Sequence, residues 1–255
     1  MGKGLMWQAV GASVIGTSHI LTKTVCQDAN GFHIADRYII LTVADGLGSA
    51  LNADKGSRFA VKAVLVYLHK SLSKNIPSTE NSWADLMRES FQKTRVFLEK
   101  ASKSLNKNTR DFGTTLIVTV LTDEWVVTGH IGDGAIVALF SDGVIKTVSQ
   151  PHRGEYANET VPITAVNAMD YLRVSATNTG ANAVALFTDG LQNMCINFAT
   201  GTPHVPFFTP FFDGICQKMD IGDVSKGLAE FLGSERVCEM SDDDKTLLIA
   251  GVVVK

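Results

Sequence analysis

The sequence predicts one α+β domain, residues 1–255, built of antiparallel sheets with helices packed on their outside. Three observations lead there. The apolar segments are short, rich in Val, Ile, Leu and Thr, and bounded by Gly, Asp or Asn. Their order is strands, two helices, several hairpin strands, a helix and a last strand, which is not the regular alternation of a doubly wound sheet. Neither a repeat nor a linker divides the chain.

Taken in order, residues 7–15 (WQAVGASVI) read as the first strand. Gly31 to Arg37 reads as a strand and hairpin leading into a buried strand over 38–44 (YIILTVA). A helix over 54–73 places Phe59, Ala63, Val64, Tyr67 and Leu68 on one stripe. A polar connection containing Pro77 follows, then a helix over 82–104 with Leu86, Phe91, Val96 and Phe97 inward and Ser82 as N-cap. Strands follow at 115–121, 125–131 and 135–140, and the tight turn Ser141-Asp142-Gly143 folds the last of these onto 144–148. After a strand at 183–188, the segment 197–214, with Pro203, Pro206 and Pro210, reads as a flap or a broken helix. Within it, Pro203 to Asp213 is the candidate substrate-facing flap. A helix near 222–233 and a strand over 246–254 complete the chain.

The 45% hydrophobic and 19% charged content suits a domain with a sizeable core. Twenty-three basic residues against 26 acidic give a net charge of −3 without a basic block, which argues against nucleic acid as a partner. Cys26, Cys195, Cys216 and Cys238 lie far apart without CxxC spacing, so they suggest neither a zinc ribbon nor a disulfide framework and read as small apolar residues. Trp7, Trp83 and Trp125 read as core, and the lysines between 70 and 107 as solvated helix faces. Residues 1–5 carry no signal-peptide apolar region, and no apolar run reaches the roughly 18 residues that span a bilayer. The expectation is a cytoplasmic protein without a membrane partner.

The informative pattern is acidic. Gln27-Asp28, Asp45-Gly46-Leu47-Gly48, Gly132-Asp133-Gly134, Asp189-Gly190 and Asp242-Asp243-Asp244 stand at the edges of apolar runs, with Gly113-Thr114-Thr115 among them. Any one Asp-Gly pair is a common turn, and Asp142-Gly143 is read as one. A set of carboxylates at buried strand ends is costly to desolvate unless a cation compensates it. Oxygen ligands without His or Cys suit Mg²⁺ or Mn²⁺ rather than Zn²⁺. Asp45, Asp189, Asp243 and Asp28 are therefore the candidate catalytic carboxylates, with the Gly46 carbonyl free to approach a metal. Brought together, they would hold two ions about 3.5–4 Å apart sharing a hydroxide of depressed pKa, a centre suited to in-line attack on phosphorus.

The order and spacing of these motifs over residues 7–254 resemble the metal-dependent protein phosphatases, the type 2C serine/threonine group. Gly16-Thr17-Ser18-His19 followed by Cys26-Gln27-Asp28 looks most like their compact bacterial branch. The resemblance implies two packed antiparallel β-sheets flanked by helices, an αββα sandwich with metals at one end. It implies that Asp45 bridges two Mn²⁺ or Mg²⁺ ions, that Gly46 gives its carbonyl to one, and that Asp189 and Asp243 hold the other. Asp28 would act through water, and Asp133 would contribute to a weak third position.

The sequence departs from the family pattern at several points. Gln27 stands where many relatives have Glu, Leu47 where some carry a His proposed as general acid, and Asn193 where a further Asp is usual. The phosphate-gripping Arg of many relatives falls at Lys23, a point charge without a bidentate fork, and His19 is the second candidate for phosphate binding. By comparison with the family pattern of an Asp three residues before a Thr, the resemblance selects Asp243, three residues before Thr246, as the ligand in the acidic triplet. Alternation along an extended segment then turns Asp242 and Asp244 away, leaving them only a general negative potential. The expected function is hydrolysis of phosphoserine or phosphothreonine on a phosphorylated protein, opposing a cognate serine/threonine kinase. A non-catalytic phosphoprotein-binding module and a phosphatase of a small metabolite are the two rivals.

Overall fold

The computed structural model describes residues 6–151, 160–218 and 220–253. The opening residues 1–5 and the end of the last expected strand, Val254, lie outside these. Strand β1 (Trp7–Val14) and the short helix α1 (Thr17–Thr22) lead into a hairpin of β2 (Ala29–Ala35) and β3 (Tyr38–Ala44). Two long helices follow, α2 (Ala53–Leu72) and α3 (Glu80–Ser104). Then come β4 (Leu116–Leu121), β5 (Val126–Ile131), β6 (Ala135–Phe140), β7 (Ile145–Ser149), β8 (Arg173–Thr177) and β9 (Ala181–Phe187). The last part holds α4 (Gln192–Cys195), the two-residue strands β10 (Ile196–Asn197) and β11 (Thr202–Pro203), α5 (Val205–Ile215), α6 (Ile221–Leu232), α7 (Glu235–Cys238) and β12 (Lys245–Val252).

Two five-stranded antiparallel sheets form, ordered β1-β12-β9-β6-β7 and β2-β3-β4-β5-β8. Alternation along each central strand divides its side chains between two layers. In β3, Ile39, Leu41 and Val43 enter the core between the sheets, while Tyr38, Ile40 and Ala44 meet α2 and α3. In β12, Leu248 and Ala250 face the other sheet, and Leu247 and Ile249 meet α5 and α6. Because both faces are covered, these strands are largely apolar on both sides, and their period-2 signal is weak. The result is the αββα sandwich expected from the family resemblance.

Several local expectations are corrected. The buried stripe of α2 is Ala60, Val61, Val64, Leu68 and Leu72, so Phe59, Ala63 and Tyr67 sit at its margin. Helix α3 is capped by Thr79, and Ser82 is the other half of that capping box. It buries Trp83, Met87, Phe91 and Leu98, while Phe97 stays exposed with its ring edge against Phe59. Of the cysteines only Cys195 is buried, although all four are free thiols. The segment 197–214 is a small hairpin followed by α5, whose Phe208 and Phe212 anchor it on the outer face of the first sheet. Asp142 does make the expected turn, its carboxylate accepting from the Val144 N–H at 3.0 Å. Among the described residues, no helix is long and apolar enough to cross a membrane.

Candidate active site

At one end of the sandwich the strand ends and loops of both sheets converge on an open cleft of about 830 Å³. Asp45, Asp133, Asp189 and Asp243 line it, together with Gly46, Leu47, Gln27 and His19. Asp45 follows the last residue of β3 and is clamped by the Gly113-Thr114-Thr115 segment. Its N–H donates to Thr115 Oγ1 at 2.9 Å, and its carbonyl accepts from Thr115 N–H and Thr114 Oγ1, both at 2.8 Å. A bridge between Gly46 and Thr114 extends the clamp. The Gly-Thr-Thr motif thus positions the central carboxylate through backbone and hydroxyl contacts.

Asp28 lies behind Asp45 and is buried; its Oδ2 accepts from Thr188 Oγ1 at 2.7 Å, while Oδ1 has no hydrogen-bond partner among the described residues. Thr188 in turn accepts from the Thr246 N–H at 3.1 Å, which ties Asp28 to the strand end carrying the acidic triplet. Asp133 Oδ2 accepts from Thr160 Oγ1, its carbonyl from Gln192 Nε2, and its Oδ1 is buried with no hydrogen-bond partner among the described residues. Asp45, Asp133 and Asp189 each offer a carboxylate oxygen within 4.8 Å of the others.

So many carboxylates in one place perturb one another. Burial pushes Asp28 up to about 7, against the lowering hydrogen bond from Thr188. Burial, then the charges of Asp133, Asp243 and Asp28, push Asp189 up to about 8. Asp45 is driven well above the usual carboxylate range by burial and by Asp28, Asp189, Asp133 and Asp243. Asp243 is raised by burial. Unpartnered buried oxygens and mutually repelling acids are the signature of a site completed by hard cations, and this donor set fits Mg²⁺ or Mn²⁺.

The acidic triplet departs from its expected arrangement. Asp243 lines the cleft and Asp242 is exposed, as alternation requires. Asp244, however, is only 3% exposed and points inward. Its Oδ1 accepts from the Gly16 N–H at 2.7 Å, its Oδ2 from the Gln27 N–H at 2.6 Å, and His19 Nδ1 lies 2.9 Å from Oδ2. Extended alternation fails here because β12 begins only at Lys245. Two glycines make room for this loop: a Cβ on Gly16 would meet the Asp243 carbonyl carbon at 2.3 Å, and one on Gly190 the Asp244 oxygen at 2.0 Å. Beneath it the fully buried Lys245 gives its ammonium to the carbonyls of Asp243, at 2.9 Å, and Ser241, at 3.3 Å.

Of the two phosphate-binding candidates, His19 lines the cleft, whereas Lys23 is an exposed residue at the C-cap of α1, outside the cleft lining. Asn193 is exposed and lines a separate, largely apolar cavity with Phe207, Phe211 and Phe231. Pro203, Pro206 and Pro210 line that cavity too, so the candidate flap does not face the acidic cleft. No local sequence pattern marks Arg173, whose guanidinium donates to the Gln150 carbonyl and, at 3.4 Å, to the Gly132 carbonyl beside Asp133.

Residues 15–233 match the family model described as protein phosphatase 2C. The chain belongs to the protein phosphatase 2C family. It is accordingly a metal-dependent serine/threonine protein phosphatase. The phosphatase is 35% identical over 258 residues to serine/threonine-protein phosphatase 3 of Escherichia coli (strain K12), a match covering 96% of this chain and 98% of that one. Its fold is shared with the serine/threonine phosphatase Stp1 from Staphylococcus aureus, at 16% identity and a TM-score of 0.64 over 100% of this chain and 98% of that one. It is likewise shared with the catalytic domain of the serine/threonine protein phosphatase PstP, solved with two manganese ions. That likeness has 17% identity and a TM-score of 0.62 over 98% of this chain and 100% of that one.

Proposed function

We propose that this phosphatase removes phosphate from phosphoserine and phosphothreonine in a protein substrate at the Asp45 cleft, with Asp45, Gly46, Asp189 and Asp243 as ligands of two divalent ions. The observation that carries the reading is the convergence of Asp45, Asp133 and Asp189, with carboxylate oxygens within 4.8 Å of one another, and with the pKa values of Asp45 and Asp189 raised by burial and by the neighbouring acids. Bound there, Mn²⁺ or Mg²⁺ supplies an activated water and positive charge for the phosphoryl oxygens. The manganese pair in the PstP catalytic domain favours a count of two.

The chain's own residues do the rest. Asp45 sits centrally because Thr114 and Thr115 hold its backbone on both sides. Asp28, buried and held by Thr188, accepts a proton or a water from behind Asp45. Asp133, braced by Thr160 and Gln192, serves a third, weaker cation position without help from Asn193. His19 reaches the phosphate from the cleft wall, its Nδ1 lying 2.9 Å from Asp244 Oδ2. Lys23, outside the lining, contributes long-range attraction to a dianion. A serine/threonine kinase supplies the phosphorylated substrate.

Turnover of p-nitrophenyl phosphate and of a phosphothreonine peptide, with EDTA and after Mn²⁺ addition, tests the reading. Chelated protein should remain folded and inactive, and Mn²⁺ should restore turnover better than Zn²⁺. Full activity in excess EDTA after dialysis would sink it.

A further inference from the structure

The three most exposed large apolar side chains among the described residues are Leu51 at 86%, Val166 at 85% and Leu21 at 83%; the next, Val66, falls to 59%. Leu51 follows the cleft-lining run Leu47-Gly48-Ser49 by two residues, and Val166 stands between the cleft-lining Ala165 and Asn167. Leu21 lies on α1 two residues beyond the cleft-lining His19, beside Ile20, itself 57% exposed.

Helix α1 buries no residue, so packing does not explain its two consecutive apolar side chains. It is nevertheless fixed in place. Ser18 N–H and Oγ donate to the Asp242 carbonyl at 3.0 and 2.8 Å, and Asp244 holds Gly16 and His19. An apolar helix face is thus pinned to the acidic loop and presented to solvent. Single exposed apolar residues are ordinary, but here the extremes gather on three separate segments around one cleft.

We infer that Leu21, Leu51 and Val166 form an apolar rim that recognises protein substrates whose phosphorylated residue is flanked by aliphatic or aromatic side chains. The inference rests on the phosphatase reading and narrows its substrate class. Each of the three stands within two residues of one that lines the cleft, so the chain on either side of a phosphorylated residue seated there is the partner they would meet. A phosphorylated small metabolite has no flanks to bury there. An acidic flank gains nothing from leucine and is repelled by the exposed Asp242.

The test compares two phosphothreonine peptides, one with leucines and one with aspartates at the two positions on either side, in Mn²⁺-loaded enzyme. The wild type should favour the leucine peptide by about tenfold or more in kcat/KM, the scale expected for burying a few aliphatic groups. In the L21S/L51S/V166S variant that preference should fall below about threefold, with p-nitrophenyl phosphate turnover retained as the sign of an intact centre. Equal use of both peptides by the wild type, or an undiminished preference in the variant, would overturn the rim. A wild type inert toward p-nitrophenyl phosphate in Mn²⁺ would overturn the phosphatase reading and the rim together. If the triple variant loses p-nitrophenyl phosphate turnover, the single variants decide: none reducing the preference refutes the rim.

Discussion

Asp244→Ala separates an acid that only adds negative potential from one that organises the site. Asp244 is 3% exposed and receives the backbone N–H groups of Gly16 and Gln27, with His19 at 2.9 Å. Truncation leaves two backbone donors without their acceptor and removes the carboxylate beside His19. A buried polar group left unpaired costs about 1–3 kcal/mol, so the variant should lose about 2–5 kcal/mol of stability, partly offset where water enters. The same change frees α1, His19 and the Gln27-Asp28 turn together, so kcat/KM should fall by about 100-fold or more. Urea unfolding gives the first quantity and phosphopeptide kinetics with saturating Mn²⁺ the second. Asp244→Asn keeps one accepting oxygen and should fall between the two. A variant Asp244→Ala with wild-type unfolding and less than a tenfold loss of turnover would refute the organising role.

Other outcomes follow from the same geometry. Asp243→Ala should abolish turnover and weaken Mn²⁺ binding by calorimetry, whereas Asp242→Ala, whose side chain is exposed and outside the cleft lining, should lose less than about tenfold, or 1.4 kcal/mol. Asn193→Asp should leave the Mn²⁺ dependence of turnover unchanged, since residue 193 lines the other cavity; a lower half-saturating concentration would place it at a third ion. Metal-free protein should lose stability as pH rises. Asp28 at about 7 and Asp189 at about 8 keep their protons in the folded state while the unfolded chain releases them from about 4 upward. The folded state therefore binds more protons between about pH 4 and 8, and its advantage shrinks across that window. Scanning calorimetry in EDTA should show Tm falling from pH 5 to pH 8, and added Mn²⁺ should raise Tm more at pH 8 than at pH 5. A flat profile would mean the acids do not share one desolvated site.

Much of this architecture was legible in the sequence, for physical reasons. Strands such as 38–44 and 135–140 are buried on both faces, so continuous aliphatic runs marked them. Helix α1 was invisible because it buries nothing and so has no apolar period to read. Strand β8 was missed because Arg173–Thr177 is a short edge strand, mostly solvated. The acids that converge on the cleft were legible as a set, since each stands where an apolar run ends. Their supports were not. Thr188, Thr160, Gln192 and Arg173 act through contacts 23 to 160 residues away in the chain, and no local pattern records those. Asp244 was misread because alternation was extended into a loop that is not yet a strand. Asn193 and the proline-rich segment were placed by spacing and composition, which do not specify which cavity a short helix faces.

The central claim is that Asp45 is the shared anchor of a divalent cation pair. Anomalous diffraction from crystals grown with Mn²⁺, recorded on both sides of the manganese edge, addresses it directly. Two peaks should appear in the cleft sharing the Asp45 carboxylate, with Asp189 and Asp243 on one of them. A single peak, or manganese bound away from Asp45, would contradict the claim.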